Sequence, residues 1–333
     1  MPGLRPALDP NASGRHGVAL SHLKDVEGPM RVVTDRLVYP EGPVAMPDGS
    51  VIVVDIADES LKQVSAAGEV SVIAKVPGGP NGAALGPDGR VYICNHGGVD
   101  WIEVEPGRLR SGPQRANYET GSIDVVDLTS GRLQRLYDRC GEYPLRGPND
   151  LVFDGTGGFW FTDMGKRRRR DMDLGAVYWA AGDGSEIREV IAGLISPNGI
   201  ALSPDGKTLY VAETYTGRIW SWTVEGPGRV GKRSWPSPAG GMLFASPGGL
   251  ARFDGLAVAE SGAVCAAALD LCAILEFRGL GSQPVVHPVP DLLVTNLCFG
   301  GADRRTCFVT LSHHARLVAL DWHEAGLRLH HSL

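Results

Sequence analysis

Six polar residues, each with a side-chain oxygen, occupy the same position in a sequence motif that is repeated along the chain. In each copy the polar residue precedes an apolar run, a tight turn of the Asp-Gly kind and a second apolar run. The six are Glu41, Asn81, Asn149, Asn198, Asp254 and Asn296. Carboxylate and amide oxygens are ligands for Ca²⁺, and for Mg²⁺, Mn²⁺ or Zn²⁺ in a more compact geometry. If the copies surround an axis, these oxygens meet, and the pattern predicts a divalent cation there.

A simpler explanation covers any one of these residues. Asn and Asp often bond to neighbouring backbone at the start of a strand, which needs no metal. Repetition in register around a ring favours the cation, because local turns do not require six copies to agree. Glu41 and Asp254 together would neutralise a divalent ion.

The elements that position these residues are short apolar runs rich in Val, Ile, Leu, Tyr and Trp, separated by turns such as Pro-Asp-Gly. Such spacing is typical of β-hairpins, and two further strands follow most hairpins. Four strands per repeat of about 40 to 60 residues indicate a propeller blade. The sequence therefore predicts an all-β, six-bladed β-propeller with a metal site at one mouth of the central tunnel. Residues 1–28 are predicted to be an N-terminal extension, and residues 29–333 the single propeller domain.

The hairpin geometry also predicts the rim of that mouth. The first strand leaves the ligand face and the second returns, so residues just after the second strand lie beside the ligands. They include His96, Met164, Tyr215 and His313. His96 and His313 are candidates for proton transfer or substrate contact, with an ordinary surface role as the alternative. Arg146, just before Asn149, could reach an anionic or hydroxylated substrate or lie on the surface. The predicted substrate-binding residues are Asn81, His96, Arg146, Asn149, Met164, Tyr215 and His313.

Two insertions interrupt the repeat. The segment from Gly97 to Gly121, with Trp101 and Tyr118, is long enough to fold over the ligand face as a lid. A second segment, from Gly226 to Gly249, is rich in Gly and Pro.

Composition excludes several classes of function. A net charge of −6 and a pI near 5.9 disfavour a nucleic-acid partner. The basic run Lys166–Arg170 is predicted to be a solvated loop. No apolar run approaches the ~20 residues that span a bilayer, so no membrane partner is expected. The N-terminus lacks the apolar core of a secretory signal, which predicts a cytoplasmic protein unless a leader has been removed. The six cysteines show no CxxC spacing, which argues against a zinc or redox motif, and most of them are predicted to be core residues.

Four stretches resemble the senescence-marker-protein/gluconolactonase family, which includes regucalcin. They are Glu41-Gly-Pro, Gly147-Pro-Asn-Asp-Leu-Val-Phe-Asp, Ser196-Pro-Asn-Gly-Ile-Ala-Leu-Ser-Pro-Asp-Gly and Phe253-Asp-Gly-Leu-Ala-Val. The resemblance implies metal ligands at Glu41, Asn198 and Asp254, with Asn149 binding the metal or the substrate. It also implies that Asp254 is the general base. Regucalcin-type members carry a substrate-binding Arg two residues before the second Asn, whereas here Arg146 stands three before Asn149.

The resulting expectation is a metal-dependent hydrolase that opens a lactone, with the cation polarising the carbonyl and a base assisting water. The cofactor is one divalent cation, with Ca²⁺ as first choice and Zn²⁺, Mn²⁺ or Mg²⁺ as alternatives. A small lactone or ester is the expected partner, and the oligomeric state is left open. A phosphotriesterase or specialised-metabolite esterase, or a non-catalytic calcium- or ligand-binding propeller, are the alternatives. No Gly-x-Ser-x-Gly elbow or phosphate loop competes with this interpretation.

Overall fold

The computed structural model describes residues 30–234 and 237–331. Within them, short antiparallel strands form six blades around one axis. The first three blades, from the innermost strand outward, are β2 (Pro40–Ala45), β3 (Val51–Asp55), β4 (Ser60–Val64) and β5 (Val70–Lys75); β6 (Pro80–Leu85), β7 (Val91–Asn95), β10 (Ser122–Val126) and β11 (Leu133–Tyr137); and β14 (Pro148–Phe153), β15 (Gly158–Asp163), β16 (Gly175–Ala181) and β17 (Ile187–Leu194).

The other three blades follow the same order. They are β18 (Pro197–Leu202), β19 (Thr208–Glu213), β20 (Arg218–Gly226) and β21 (Arg229–Gly231), with β22 (Met242–Ala245) also on β20; β23 (Phe253–Val258), β24 (Val264–Ala268), β25 (Ala273–Phe277) and β26 (Val285–Pro288); and β27 (Val294–Gly300), β28 (Thr306–Leu311), β29 (Arg316–Asp321) and β1 (Met30–Thr34). Two small hairpins pair β8 (Val99–Glu105) with β9 (Arg108–Gln114), and β12 (Arg139–Cys140) with β13 (Tyr143–Pro144). A 3-10 turn spans Pro238–Gly240.

The ring is closed by strands from opposite ends of the described chain. β1 pairs antiparallel with β29, so the blade built from β27, β28 and β29 receives its outermost strand from the N-terminal side. Each innermost strand contacts the innermost strands of both neighbouring blades. The predicted all-β six-bladed propeller is confirmed. The proposed extension over residues 1–28 lies outside the described residues.

The core is a set of apolar layers between adjacent blades. One layer joins Trp160 and Val177 of the third blade to Val211 and Trp222 of the fourth, all of them buried. Burying one such large side chain contributes about 1.5–3 kcal/mol, so these layers hold neighbouring blades together. Cys94, Cys265, Cys272 and Cys307 are buried free cysteines, as predicted, while Cys140 and Cys298 are half-buried. In the part of the chain that the structure describes, no helix is long and apolar enough to cross a membrane.

Candidate functional site

A β-bulge interrupts the innermost strand of every blade near its start, after the first residue in five blades and after Glu41, the second residue, in β2. In the third blade the pairing shifts between Pro148 and Leu151, and matching shifts lie in β2, β6, β18, β23 and β27. A bulge puts one extra residue into one strand, which bends the strand and re-aims a side chain. Asn81, Asn149, Asn198 and Asp254 fall inside these bulges and Glu41 directly precedes one, so the irregularity sets the direction of their side chains.

The pairing register corrects one member of the predicted ring. Val294 is opposite Leu311 in the sixth blade as Pro148 is opposite Asp163 in the third, so Thr295 corresponds to Asn149. Asn296 instead corresponds to Asp150. The ring layer is therefore Glu41, Asn81, Asn149, Asn198, Asp254 and Thr295. Sequence reasoning selected Asn296 because its side-chain type matched, whereas strand pairing shows it to be one residue further along.

Asp150 and Asn296 form a second layer just below the ring, and the other four blades have glycine there. A Cβ on Gly82 would lie 2.5 Å from Oδ1 of Asp150, and a Cβ on Gly255 would lie closer than 3.0 Å to the Asn296 carboxamide. The glycines thus leave room for two polar side chains to fill the tunnel. Oδ1 of Asp150 accepts a hydrogen bond from the Leu151 N–H at 2.9 Å, and Oδ1 of Asn296 accepts one from the Leu297 N–H at 2.8 Å.

Three carboxyl groups perturb one another at this mouth. Burial raises the pKa of Glu41 to about 7. Burial and then the charge of Glu41 raise the pKa of Asp150 to about 8. Burial, followed by the charge of Glu41, raises the pKa of Asp254 well above its usual range, although a hydrogen bond from Asn198 opposes the shift. Buried carboxylates in this arrangement repel each other unless positive charge compensates them.

The donor set fits a hard divalent cation. The buried carboxylate of Glu41 and the half-buried carboxylate of Asp254 lie in one layer with amide oxygens at Asn149 and Asn198, and Ca²⁺ takes ligands of this kind. The Gly42 N–H donates to Oε2 of Glu41 at 2.7 Å, and hydrogen bonds from Gly42, Asn296 and Thr295 oppose the rise in the pKa of Glu41 that burial causes. A tighter group of three carboxylate, imidazole or thiolate ligand atoms, all within 4.8 Å of one another, occurs elsewhere in the described residues and not in this ring.

Several polar residues at the ends of second strands fasten the blades rather than face a ligand. Asp55 accepts hydrogen bonds from the backbone of Val38 and Tyr39 at 2.9 and 2.7 Å. Asp163 does the same for Arg146 and Gly147 at 2.7 and 2.6 Å. Each carboxylate satisfies the N–H groups that precede the first strand, so these residues fix where that strand begins.

The insertion from Gly97 to Gly121 arches over the mouth. It is the hairpin β8–β9, and Trp101 in β8 packs on Tyr39 of the first blade with ring centroids 4.9 Å apart. Arg110 in β9 reaches the sixth blade, where its Nη2 lies 3.0 Å from Nδ1 of His313. Tyr118 donates a hydrogen bond to the Arg146 carbonyl at 2.6 Å. One hairpin from the second blade thus contacts the first, third and sixth blades across the axis.

His96 and Lys166 both hydrogen-bond to the backbone of Gly98, at the base of this hairpin. Nδ1 of His96 accepts a hydrogen bond from the Gly98 N–H at 3.0 Å, and burial followed by the Lys166 charge lowers the pKa of His96 to about 3. The imidazole is therefore neutral near pH 7 and a poor proton acceptor. Nζ of Lys166 donates to the Gly98 carbonyl at 3.0 Å and lies 4.7 Å from the Tyr118 ring centroid. The predicted solvated loop is wrong at Lys166, which is buried, although Arg167, Arg169 and Arg170 are exposed.

His313 is buried at the opposite side of the mouth. Burial, followed by the charge of Arg110, lowers its pKa, so it too is neutral near pH 7. Its ring packs edge-on against His314, whose Nδ1 lies 2.7 Å from Oδ2 of Asp291. The hairpin contact from Arg110 therefore engages the free-base form of His313.

The remaining predicted substrate residues are dispersed over the mouth. Nδ2 of Asn149 lies 4.0 Å from Sδ of half-buried Met164, so these two are neighbours. Arg146 and Tyr215 are exposed, and Asn81 is half-buried in the ring layer. The structure brings Asn149 and Met164 together with the ring, and it leaves Arg146 and Tyr215 on the outer rim.

Sequence reasoning missed Asp150, Lys166 and Arg110 as members of the site. The signal for Asp150 was present, because the third copy has Asp where four others have Gly. Lys166 was hidden in a basic run, and Arg110 lies in an insertion with no counterpart in the repeat.

A cavity of about 390 Å³ continues the tunnel from Asp150 and Asn296 toward the opposite face.

Comparisons with known proteins agree with this architecture. The family model described as SMP-30/Gluconolactonase/LRE-like region matches residues 39–313. A gluconolactonase of Zymomonas mobilis is 26% identical over 322 residues, covering 89% of this chain and 82% of that protein. Lactonase drp35 of Staphylococcus aureus strain bovine RF122 is 41% identical over 150 residues, which span 45% of this chain and 39% of that lactonase.

Solved structures show the same fold. The calcium-binding protein regucalcin from Agrobacterium tumefaciens has a TM-score of 0.69 at 20% identity, covering 91% of this chain and 98% of that one. A Xanthomonas campestris gluconolactonase has a TM-score of 0.68 at 24% identity, covering 88% of this chain and 89% of that one.

Proposed function

The chain belongs to the SMP-30/gluconolactonase/LRE-like family, and on that basis we propose that it is a hydrolase that opens a lactone at the tunnel mouth. The observation that carries this proposal is the set of carboxylates at the tunnel mouth, with Glu41 and Asp150 buried and Asp254 half-buried, beneath the β8–β9 hairpin. Two relatives that match in sequence are named gluconolactonase and lactonase. A small lactone is therefore the substrate class that we propose.

We infer that the ring holds one divalent cation through Glu41, Asn149, Asn198 and Asp254. Ca²⁺ is the first choice because these ligands are all oxygens, and Zn²⁺, Mn²⁺ and Mg²⁺ are the alternatives. When bound, the cation would supply Lewis-acid polarisation of the lactone carbonyl and stabilise the charge that develops on its oxygen. Its positive charge would also oppose the rise in pKa that burial causes at Glu41 and that burial and the Glu41 charge cause at Asp254.

The chain's own residues supply the proton chemistry and the orientation. Asp254 is the proposed general base, which takes a proton from the attacking water. A hydrogen bond from Asn198 lowers the pKa of Asp254 against the effect of burial, which favours the carboxylate form that accepts a proton. Burial lowers the pKa of His96 to about 3, which makes its imidazole a poor base, and its Nε2–H can donate to a substrate because Nδ1 accepts from Gly98. The β8–β9 hairpin would exclude bulk water and limit substrate size.

An activity panel tests this proposal. The purified chain would be assayed on sugar lactones, aliphatic lactones and phosphotriesters, before and after treatment with a chelator. We expect lactone hydrolysis that is lost with the chelator and restored by Ca²⁺ or another divalent ion. Hydrolysis of phosphotriesters alone would favour the esterase alternative, and metal binding without any turnover would favour a binding propeller. Lactone hydrolysis that survives complete metal removal would refute the cation's role.

A further inference from the structure

A second group of ligand-type side chains lies on the outer strands of the fifth and sixth blades. Glu276 is in β25, His287 is in the adjoining β26, and His323 follows β29. β25 and β29 are third strands, which run away from the tunnel mouth, and Glu276 and His323 lie near or beyond their far ends. The group is therefore separate from the ring of Glu41 and Asp254.

The three side chains point one ligand atom each at a common space. Oε2 of Glu276 lies 2.8 Å from Nε2 of His287 and 3.5 Å from Nε2 of His323, and all three atoms lie within 4.8 Å of one another. The Glu276 side chain is 0% exposed. Nε of Arg278 donates to its other oxygen, Oε1, at 2.6 Å, which fixes the carboxylate with Oε2 toward the imidazoles.

A simple ion pair accounts for only part of this geometry. The His287 contact has hydrogen-bond length, but Nε2 of His323 stands 3.5 Å from Glu276 and also 3.5 Å from Oε1 of Glu324. Those separations exceed the usual N–H···O range. Ligands placed 2.0–2.2 Å from a tetrahedral Zn²⁺ are about 3.3–3.6 Å apart. The 3.5 Å separations of Nε2 of His323 from Glu276 and from Glu324 already match this range. The 2.8 Å contact between Oε2 of Glu276 and Nε2 of His287 would have to lengthen by about 0.5 Å.

We propose that Glu276, His287 and His323 form a binding site for a transition-metal ion of the zinc class, with Glu324 or water as a further ligand. Two imidazole nitrogens and one carboxylate oxygen suit Zn²⁺, Co²⁺, Ni²⁺ or Cu²⁺, and not Ca²⁺. The side chains of His287 and His323 are 26% and 42% exposed, which leaves a path for the ion. Trp322 packs on His287 with ring centroids 4.3 Å apart and holds that ring in place.

A metal here would join two blades. Glu276 and His287 belong to the fifth blade, and His323 extends the strand of the sixth blade that pairs with β1. Binding to the folded chain alone shifts the unfolding equilibrium by mass action, so Zn²⁺ at 100 times its Kd should raise the Tm by about 5 °C. The stabilisation should come without any requirement for turnover.

The experiment uses the full chain, stripped of metal and then titrated with Zn²⁺ in excess Ca²⁺ against a chromophoric zinc chelator. We expect one equivalent of Zn²⁺ bound. Replacing residues that only orient a metal ligand already costs about 10–100-fold in affinity, so His287→Ala and His323→Ala should each cost at least ~10-fold. Exposed His330→Ala is the matched control and should bind like the unaltered chain. A Glu41→Gln, Asp254→Asn chain should also retain this Zn²⁺, which separates it from the ring.

Two results would overturn the assignment. The unaltered chain could fail to take up Zn²⁺ at micromolar concentration, or His287→Ala and His323→Ala could both bind as tightly as the control; either result makes the group an ion pair only. Circular dichroism checks that the variants fold. Should they not fold, Co²⁺ binding by the unaltered chain decides, because the visible absorption bands of a tetrahedral nitrogen-ligated Co²⁺ must then be present.

Discussion

A methyl group added at Gly255 tests the two-layer arrangement of the tunnel. The backbone of Gly255 lies outside the left-handed region, so alanine is allowed there by conformation. Its Cβ would nevertheless lie closer than 3.0 Å to the carboxamide of Asn296. Either the surrounding core is strained by the methyl group, or the Asn296 side chain rotates away and loses the hydrogen bond that it accepts from the Leu297 N–H.

The expected cost follows from these two responses. Overpacking a rigid core costs about 1–3 kcal/mol, and leaving a buried polar group unpaired costs about 1–3 kcal/mol. Because one response or the other relieves the collision, we expect Gly255→Ala to lower the free energy of unfolding by about 1–3 kcal/mol. In a chain of this size that corresponds to a fall in Tm of about 1–4 °C.

The assay is urea and thermal unfolding of the metal-free chain, with Gly279→Ala as the matched control. Gly279 also lies outside the left-handed region and has open space around its Cβ position, so alanine there should be neutral or stabilise by up to ~1 kcal/mol. In a Gly255→Ala, Asn296→Ala chain the collision is gone, and the two substitutions should couple by at least ~1 kcal/mol. If Gly255→Ala unfolds within ~0.5 kcal/mol of the control, or shows no coupling, the two-layer packing is wrong.

Three further predictions concern chemistry at the mouth. Asp254→Asn, assayed at saturating cation, should lower kcat by ~10²-fold or more, because the amide cannot accept a proton; activity near that of the unaltered chain would leave Asp254 as a ligand only. The pKa of His96 is about 3 in the folded chain, so between pH 6.5 and 3 the imidazole binds a proton only in the unfolded chain. The free energy of unfolding therefore falls as the pH falls, by up to ~1.4 kcal/mol per pH unit. Urea titrations at pH 7.5 and 5.5 should therefore show a smaller acid loss for His96→Gln than for the unaltered chain, and equal losses would contradict the shift. Arg110→Ala should raise the pKa of His313, measured by NMR, and raise KM several-fold through a loosened hairpin, whereas an unmoved pKa would argue against the Arg110 contact.

The blades could be predicted from the sequence because a propeller repeats the same β-hairpin pattern along the chain. Each copy pairs two apolar runs across a tight turn, and that hairpin is specified by residues adjacent in the chain. The ring positions at Glu41, Asn149, Asn198 and Asp254 followed from the same repetition. For the same reason the lid could be identified as an insertion, since it breaks the period.

The sixth blade shows where local pattern stops being sufficient. Thr295 and Asn296 are both polar, and the sequence does not say which of them enters the bulge. Cross-strand pairing with β28 decides it, since a slip of one residue exchanges the two layers.

What the sequence alone determined about this protein is therefore the repeated hairpin, the six-bladed ring and the polar residue at the head of five of the six blades. The tertiary structure alone decided which side chains share a layer, that Asp150 lies below the ring, and that Arg110 and Lys166 reach the mouth from segments outside the repeat. It also brought Glu276 and His287 to His323 across a seam between blades. The physical reason is the sequence separation of the interacting residues. A hairpin depends on residues that are neighbours in the chain, whereas burial, charge coupling and ligand geometry depend on residues that meet only after the ring closes.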